Sequence, residues 1–159
     1  MSDGARPRHP RERAAPAAPL PSPRSPQEKP PITASQRARA AARDLGIRAE
    51  HAAQEHLLAN GFEIFGANVR AGRFEIDLIA RDHEVLVIVE VRARGPGSLI
   101  KALDTIDARK QRRLRAAAGM LWRNRFARDK RIERVRFDCV AVTFDEAGDA
   151  RVEHVKAAF

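Results

Sequence analysis

Charged side chains interrupt two short apolar segments: Glu75 and Asp77 in Arg73–Ala80, and Glu90 and Arg92 in Glu84–Arg92. Both segments are rich in Ile, Val and Leu, and the polar Arg81-Asp82-His83 between them reads as a turn, so a β-hairpin is predicted. With His83-Glu84 as a two-residue turn, Asp77 faces Glu90 and Glu75 faces Arg92. Alternation then gathers these four on one face and sets Phe74, Ile76 and Leu78 with Val87, Val89 and Val91 on the other, as a core surface. Directly opposed carboxylates, with Cβ atoms about 4.5–5.5 Å apart, destabilise a sheet unless something neutralises them. A hard divalent cation, Mg²⁺ or Mn²⁺, would do so. Such an ion takes one or two carboxylates plus waters and phosphate oxygens, and makes a nucleophile of water near neutral pH. A solvated polar face with Glu–Arg and Asp–Arg ion pairs, each worth at most about 1 kcal/mol, accounts for the same residues. Spacing alone leaves both readings open.

The elements that must position these groups are legible on either side. Ala34–Asn60 carries Leu45, Ala49, Ala52, Ala53 and Leu57 near one helical stripe, and Asn60-Gly61 supplies a helix stop. Phe62–Phe65 reads as a short strand. After the hairpin, Gly95-Pro96-Gly97-Ser98 breaks the pattern, and Leu99–Phe126 resumes helical spacing through Leu103, Ile106, Leu114, Ala117 and Leu121. Val135–Phe144 reads as a further strand and Val152–Val155 as a short last one. The order α-β-β-β-α-β implies an α/β fold: a mixed sheet flanked by helices, with the second helix crossing over between strands.

Composition narrows the partners. Nine of the ten prolines fall at or before Pro31, so residues 1–35 are expected to form a disordered Pro/Arg-rich tail ahead of one domain at 36–159. The 159-residue chain carries net charge +9 with a pI near 11.0, which points to a polyanion. From Arg92 to Arg136 there are fifteen Lys/Arg and four acids, and Arg109, Lys110, Arg112 and Arg113 are the expected nucleic-acid contacts. Base stacking has little to draw on, with seven Phe, one Trp and no Tyr. No run approaches the ~20 apolar residues of a membrane span. One cysteine, Cys139, cannot form an intramolecular disulfide, and a cytoplasmic protein with a buried thiol is expected. His51 and His56 lack the His-Glu-x-x-His arrangement of zinc sites.

Glu-Ile-Asp-Leu-Ile-Ala (75–80) followed by Val-Glu-Val-Arg (89–92) resembles the signatures of YraN-like proteins. The resemblance covers about residues 46–159 and includes Gly46, Glu50, Gly61-Phe62, Asn68-Val69-Arg70, Lys110, Arg136-Phe137-Asp138 and Ala158-Phe159. It implies a restriction-endonuclease-like fold related to PD-(D/E)xK nucleases and archaeal Holliday-junction resolvases. By this resemblance Asp77 and Glu90 match the metal carboxylates, Glu50 the helix-borne acid, and Arg92 stands where the motif has lysine. Glu75 is then a neighbour able to orient Arg92 or a bound water. Ala49 and Phe74 replace glycines of the pattern, and Phe74 is expected to fill core volume. The implied activity is Mg²⁺- or Mn²⁺-dependent hydrolysis of DNA, branched DNA included. The alternatives are a non-catalytic nucleic-acid-binding protein with a degenerate site and a protein-interaction scaffold.

Overall fold

The computed structural model describes residues 33–94 and 107–159. The expected tail therefore lies outside the described residues up to 32, as does the Gly95–Ser98 break. Thr33 opens the first helix, α1 (Ala34–Ala59): its hydroxyl accepts from the Gln36 N–H at 3.2 Å, and the Gln36 side chain accepts from the Thr33 N–H at 2.7 Å. That reciprocal cap satisfies two donors a helix start leaves open.

Among the described residues five strands follow: β1 (Glu63–Ala71), β2 (Phe74–Asp82), β3 (Val85–Arg94), β4 (Arg134–Phe144) and β5 (Ala150–Val155). The second helix, α2 (Ala108–Leu121), runs into a π-helical turn at Trp122–Phe126 before β4. The sheet order is β1-β2-β3-β4-β5, with β3 and β4 parallel and all other neighbours antiparallel. A parallel pair needs a crossover, and the segment carrying α2 makes it.

Helix α1 buries Ala49, Ala53 and Leu57 on one face of the sheet, against Leu78, Val87, Val89, Val140 and Val142. Helix α2 buries Leu114, Ala117, Ala118 and Leu121 on the other, against Ile79, Leu86 and Ile88. Full burial of a Leu such as Leu57 contributes roughly 1.5–3 kcal/mol, so these two stripes hold the helices down.

Strand β1 is longer than the four residues expected. Gly66, Ala67 and Asn68 are poor strand formers, yet pairing with β2 extends the strand to Ala71, with a bulge between Ile64 and Gly66. Ala71 pairs with Phe74, so Gly72-Arg73 is a two-residue hairpin turn. Gly72 has φ +61°, and an added Cβ would sit 2.6 Å from Met120 Cε. Gly72→Ala is therefore expected to cost about 1–2 kcal/mol, most of it backbone strain because the Met120 tip can yield. A thermal melt lowered by several degrees checks this, and an unchanged midpoint would contradict it.

Candidate functional site

The hairpin turn falls where the spacing puts it. Asp82 pairs with Val85 across His83-Glu84, and the register runs through Ile79↔Ile88 to Leu78↔Val89. There the recorded ladder ends. In place of a backbone partner, the Val91 N–H donates to Asp77 Oδ2 at 2.8 Å, so a side chain takes over the strand's main-chain bond. Alternation breaks at the same residue: Leu78 packs in the α1-side core, whereas Ile76 and Phe74 pack on the α2 side. The expected common face of Phe74, Ile76 and Leu78 is thus corrected. A carboxylate inserted between two strands cannot keep both the ladder and the pleat, and the chain switches sides across it.

Glu90 is 2% exposed and sits between two cations. Lys110 Nζ lies 2.8 Å from Oε2, and an Arg92 terminal guanidinium nitrogen lies 3.3 Å from Oε1. Arg92 reaches Glu90 because residues two apart on a strand share a face. Lys110 reaches it because Asp107 caps α2, accepting the Lys110 N–H at 2.7 Å, and so fixes Lys110 in the first turn. Lys110 therefore turns inward and is set apart from Arg109, Arg112 and Arg113, which are exposed.

Asp77 is pushed up to about 6, first by burial and then by the charge of Glu90. The Val91 N–H and Lys110 pull it back, and Glu50 adds a further push upward. Glu50, on α1, is within electrostatic reach of Asp77, but its Oε2 accepts from Asn68 Nδ2 at 2.8 Å. Asn68 holds φ +52°, a conformation Asn tolerates better than most residues. Glu75 does not face Arg92. It is exposed, its register partner is Arg70 on β1, and it lines a cavity of about 250 Å³ with Arg73, Phe74, Lys110, Arg113 and Leu114. Among the described residues, no group of three or more His, Cys, Asp or Glu side chains is arranged to hold a metal ion. Asp77 and Glu90 are brought together, Lys110 and Arg92 join them, Glu50 stands beside them, and Glu75 lies apart.

Residues 49–142 match the family described as "Uncharacterised protein family UPF0102". The chain belongs to the UPF0102 family. A UPF0102 protein of Sorangium cellulosum is 55% identical over 119 residues, covering 75% of this chain and 83% of its own. One from Anaeromyxobacter dehalogenans is 44% identical over 115 residues, with 72% and 83% covered. One from Porphyromonas gingivalis is 35% identical over 118 residues, with 73% and 84% covered. The UPF0102 match spans α1 from Ala49 through most of β4, and so contains Glu50, Asp77, Glu90, Arg92 and Lys110.

A second charged cluster in this UPF0102 chain includes Arg136 and Asp138, which the resemblance marked without a role. Asp138 on β4 is fully buried and meets Arg136, His154 and the Ala157 N–H. Arg136 also donates to Asp82 at 2.9 Å, and Lys156 reaches the same carboxylate at 3.3 Å. Alternate placement of Arg136 and Asp138 on one strand was the available signal. Cys139 beside it is buried as expected, and burial pushes its thiol up to about 11, which leaves it unreactive. No helix among the described residues is long and apolar enough to cross a membrane.

Proposed function

We propose that this protein is a metal-dependent endonuclease-like hydrolase acting on DNA, with Asp77 and Glu90 at its centre. The observation that supports this most is the break in the β2–β3 ladder at Asp77 beside a buried Glu90. Two carboxylates held together in a sheet, at a cost to the sheet, are what a divalent cation requires from a protein. The donor set fits Mg²⁺ or Mn²⁺: the raised Asp77 records negative charge that its surroundings leave partly uncompensated, and a dication would relieve it. Asp77 and Glu90 would hold the ion, with Glu50 alongside. When bound, it would polarise a phosphodiester oxygen and offset charge developing at phosphorus.

The chain's own residues supply the rest. Arg92 offers a planar guanidinium whose fork of donors matches phosphate oxygens, so its part is to grip the phosphate and not to act as a general base. Lys110 neutralises Glu90 at 2.8 Å, and its three-donor ammonium keeps donors for a phosphate oxygen. Val91 N–H orients Asp77, and Asn68 orients Glu50.

Mg²⁺- or Mn²⁺-stimulated cleavage of a branched DNA tests this. Asp77→Asn and Glu90→Gln, which preserve shape, are expected to lower the rate about 10²–10³-fold. Wild-type protein inert toward branched, nicked and single-stranded DNA in millimolar metal would sink the reading. One observation favours a second reading: Lys110 and Arg92 already neutralise Glu90. A protein that binds DNA equally well with Asp77→Asn, and never cleaves, would be a binding module whose carboxylate site is vestigial.

A further inference from the structure

Beside the carboxylates, the Gly72-Arg73 turn faces the basic side of α2 across two adjoining cavities. One, of about 250 Å³, is lined in part by Phe74, Glu75, Lys110 and Arg113. The other, of about 550 Å³, is lined by Arg73, Phe74, Arg109, Arg112, Arg113 and Ala116. Both share Arg73, Phe74 and Arg113, so they form one trough. Its charge is lopsided, with five cations against the single acid Glu75. Among the described residues, no carboxylate forms an ion pair with Arg73, Arg109, Arg112 or Arg113. The Lys110 N–H, and after it Arg109 and Arg113, hold the carboxylate of Asp107 below the usual range, so two of these arginines do act on that group.

Phe74 is half-buried: it packs against the α2-side core and also lines the trough. The Arg73 guanidinium lies 5.1 Å from the centroid of its ring. An arginine plane against an aromatic ring is a surface on which a nucleobase stacks. Bases inside a duplex have no face to offer, whereas those of an unpaired strand do. Lys110 belongs both to the trough wall and to the Glu90 ion pair, so a strand lying in the trough runs to the carboxylates.

We infer that this trough binds an unpaired polynucleotide strand, with Arg73 and Phe74 carrying a base and Arg109, Arg112 and Arg113 neutralising its phosphates. The inference rests on the nuclease reading for its purpose, since it names single-stranded ends or flaps as the part of the substrate the site grips. It extends that reading to Arg73 and to Phe74, which alternation marked only as a core residue.

The test is fluorescence anisotropy on the full chain in EDTA, with a labelled single-stranded oligonucleotide and the matching duplex, titrated with salt. Wild type is expected to favour the single strand. Each lost phosphate contact flattens the log K against log salt slope by about 0.7 for a single strand, so Arg109→Ala/Arg112→Ala should flatten it by about 1.4. The pair Arg39→Ala/Arg43→Ala, on exposed α1, should leave the slope unchanged. Phe74→Leu, which keeps most of the packing volume, should weaken single-strand binding about 5-fold or more with no change in slope or in duplex binding. A melt of each variant confirms that it is folded. Equal flattening by the α1 pair, equal effects on duplex and single strand, or no effect of Phe74→Leu would overturn the inference. Because no metal is present, a wild-type protein that cleaves nothing leaves this result unaffected, and a negative binding result with intact cleavage removes the trough alone.

Discussion

Asp138→Ala is expected to lose about 3–5 kcal/mol of stability at pH 7, a drop of roughly 10 °C or more in the melting midpoint. Asp138 has no exposed surface and four contacts. Oδ1 accepts from Arg136 Nε at 2.8 Å and the Ala157 N–H at 3.0 Å, while a terminal nitrogen of Arg136 and His154 Nε2 each lie 3.0 Å from Oδ2. It thereby ties β4 to β5 and to the chain end, where the Ala158 N–H donates to the Phe137 carbonyl and Phe159 packs on Phe137. Alanine leaves Arg136 half-buried beside Asp82 alone, with a cavity where the carboxylate stood. Burial by itself would raise Asp138, but the bonds from His154, Arg136 and Ala157 outweigh it and hold the group below the usual carboxylate range. A lowered folded value contributes stability above the unfolded value of 3.8 that is lost as pH falls through the folded one. The gap between wild type and variant should therefore narrow below about pH 4. Melts at pH 7 and pH 3 read it, and a loss under about 1 kcal/mol at pH 7 would show that the network is ornamental.

Asp77→Asn should act with the opposite sign, raising stability at pH 7 by about 2–3 kcal/mol. Asp77 titrates at about 6 in the folded protein against 3.8 ordinarily. For a raised group, the stabilising proton is fully present below the unfolded value and is lost as pH rises through the folded one, so ionised Asp77 is a net cost at neutrality. Asparagine carries no charge to bury or to set against Glu90, and its carbonyl can still accept the Val91 N–H. The variant should melt higher than wild type at pH 7 and alike below about pH 4. A variant no more stable than wild type at pH 7, or one with the same gap at both pH values, would contradict the account. Joined to loss of cleavage, this gain would mark Asp77 as a residue held for chemistry at the expense of the fold.

These two carboxylates differ in what surrounds them, and the difference is invisible in one dimension. Asp138 meets groups 2, 16 and 19 residues away, all arranged to receive it. Asp77 is crowded by Glu90, on the neighbouring strand, and by Glu50, on a helix that precedes it by two elements. Sequence spacing identified Asp77 and Glu90 as partners because a two-residue turn and a period of two constrain the register tightly. It could not foresee that Asp77 would replace the ladder bond to Val91, because alternation assumes that backbone pairs with backbone.

The amino-acid sequence by itself determined the elements and their order. It carried the hairpin register, the apolar stripes of α1 and α2, the crossover to a parallel β4, and the membership of Asp77 and Glu90 in one charged centre, since all of these follow from local periodicity and turn chemistry. Tertiary structure alone decided the full length of β1, the switch of faces at Asp77, the docking of Lys110 on Glu90, the side of the sheet that Phe74 takes and the burial of Asp138. Each of those depends on which surfaces helices cover and which charges they bring within a few ångströms, and contacts between elements far apart in the chain leave no periodic trace in it.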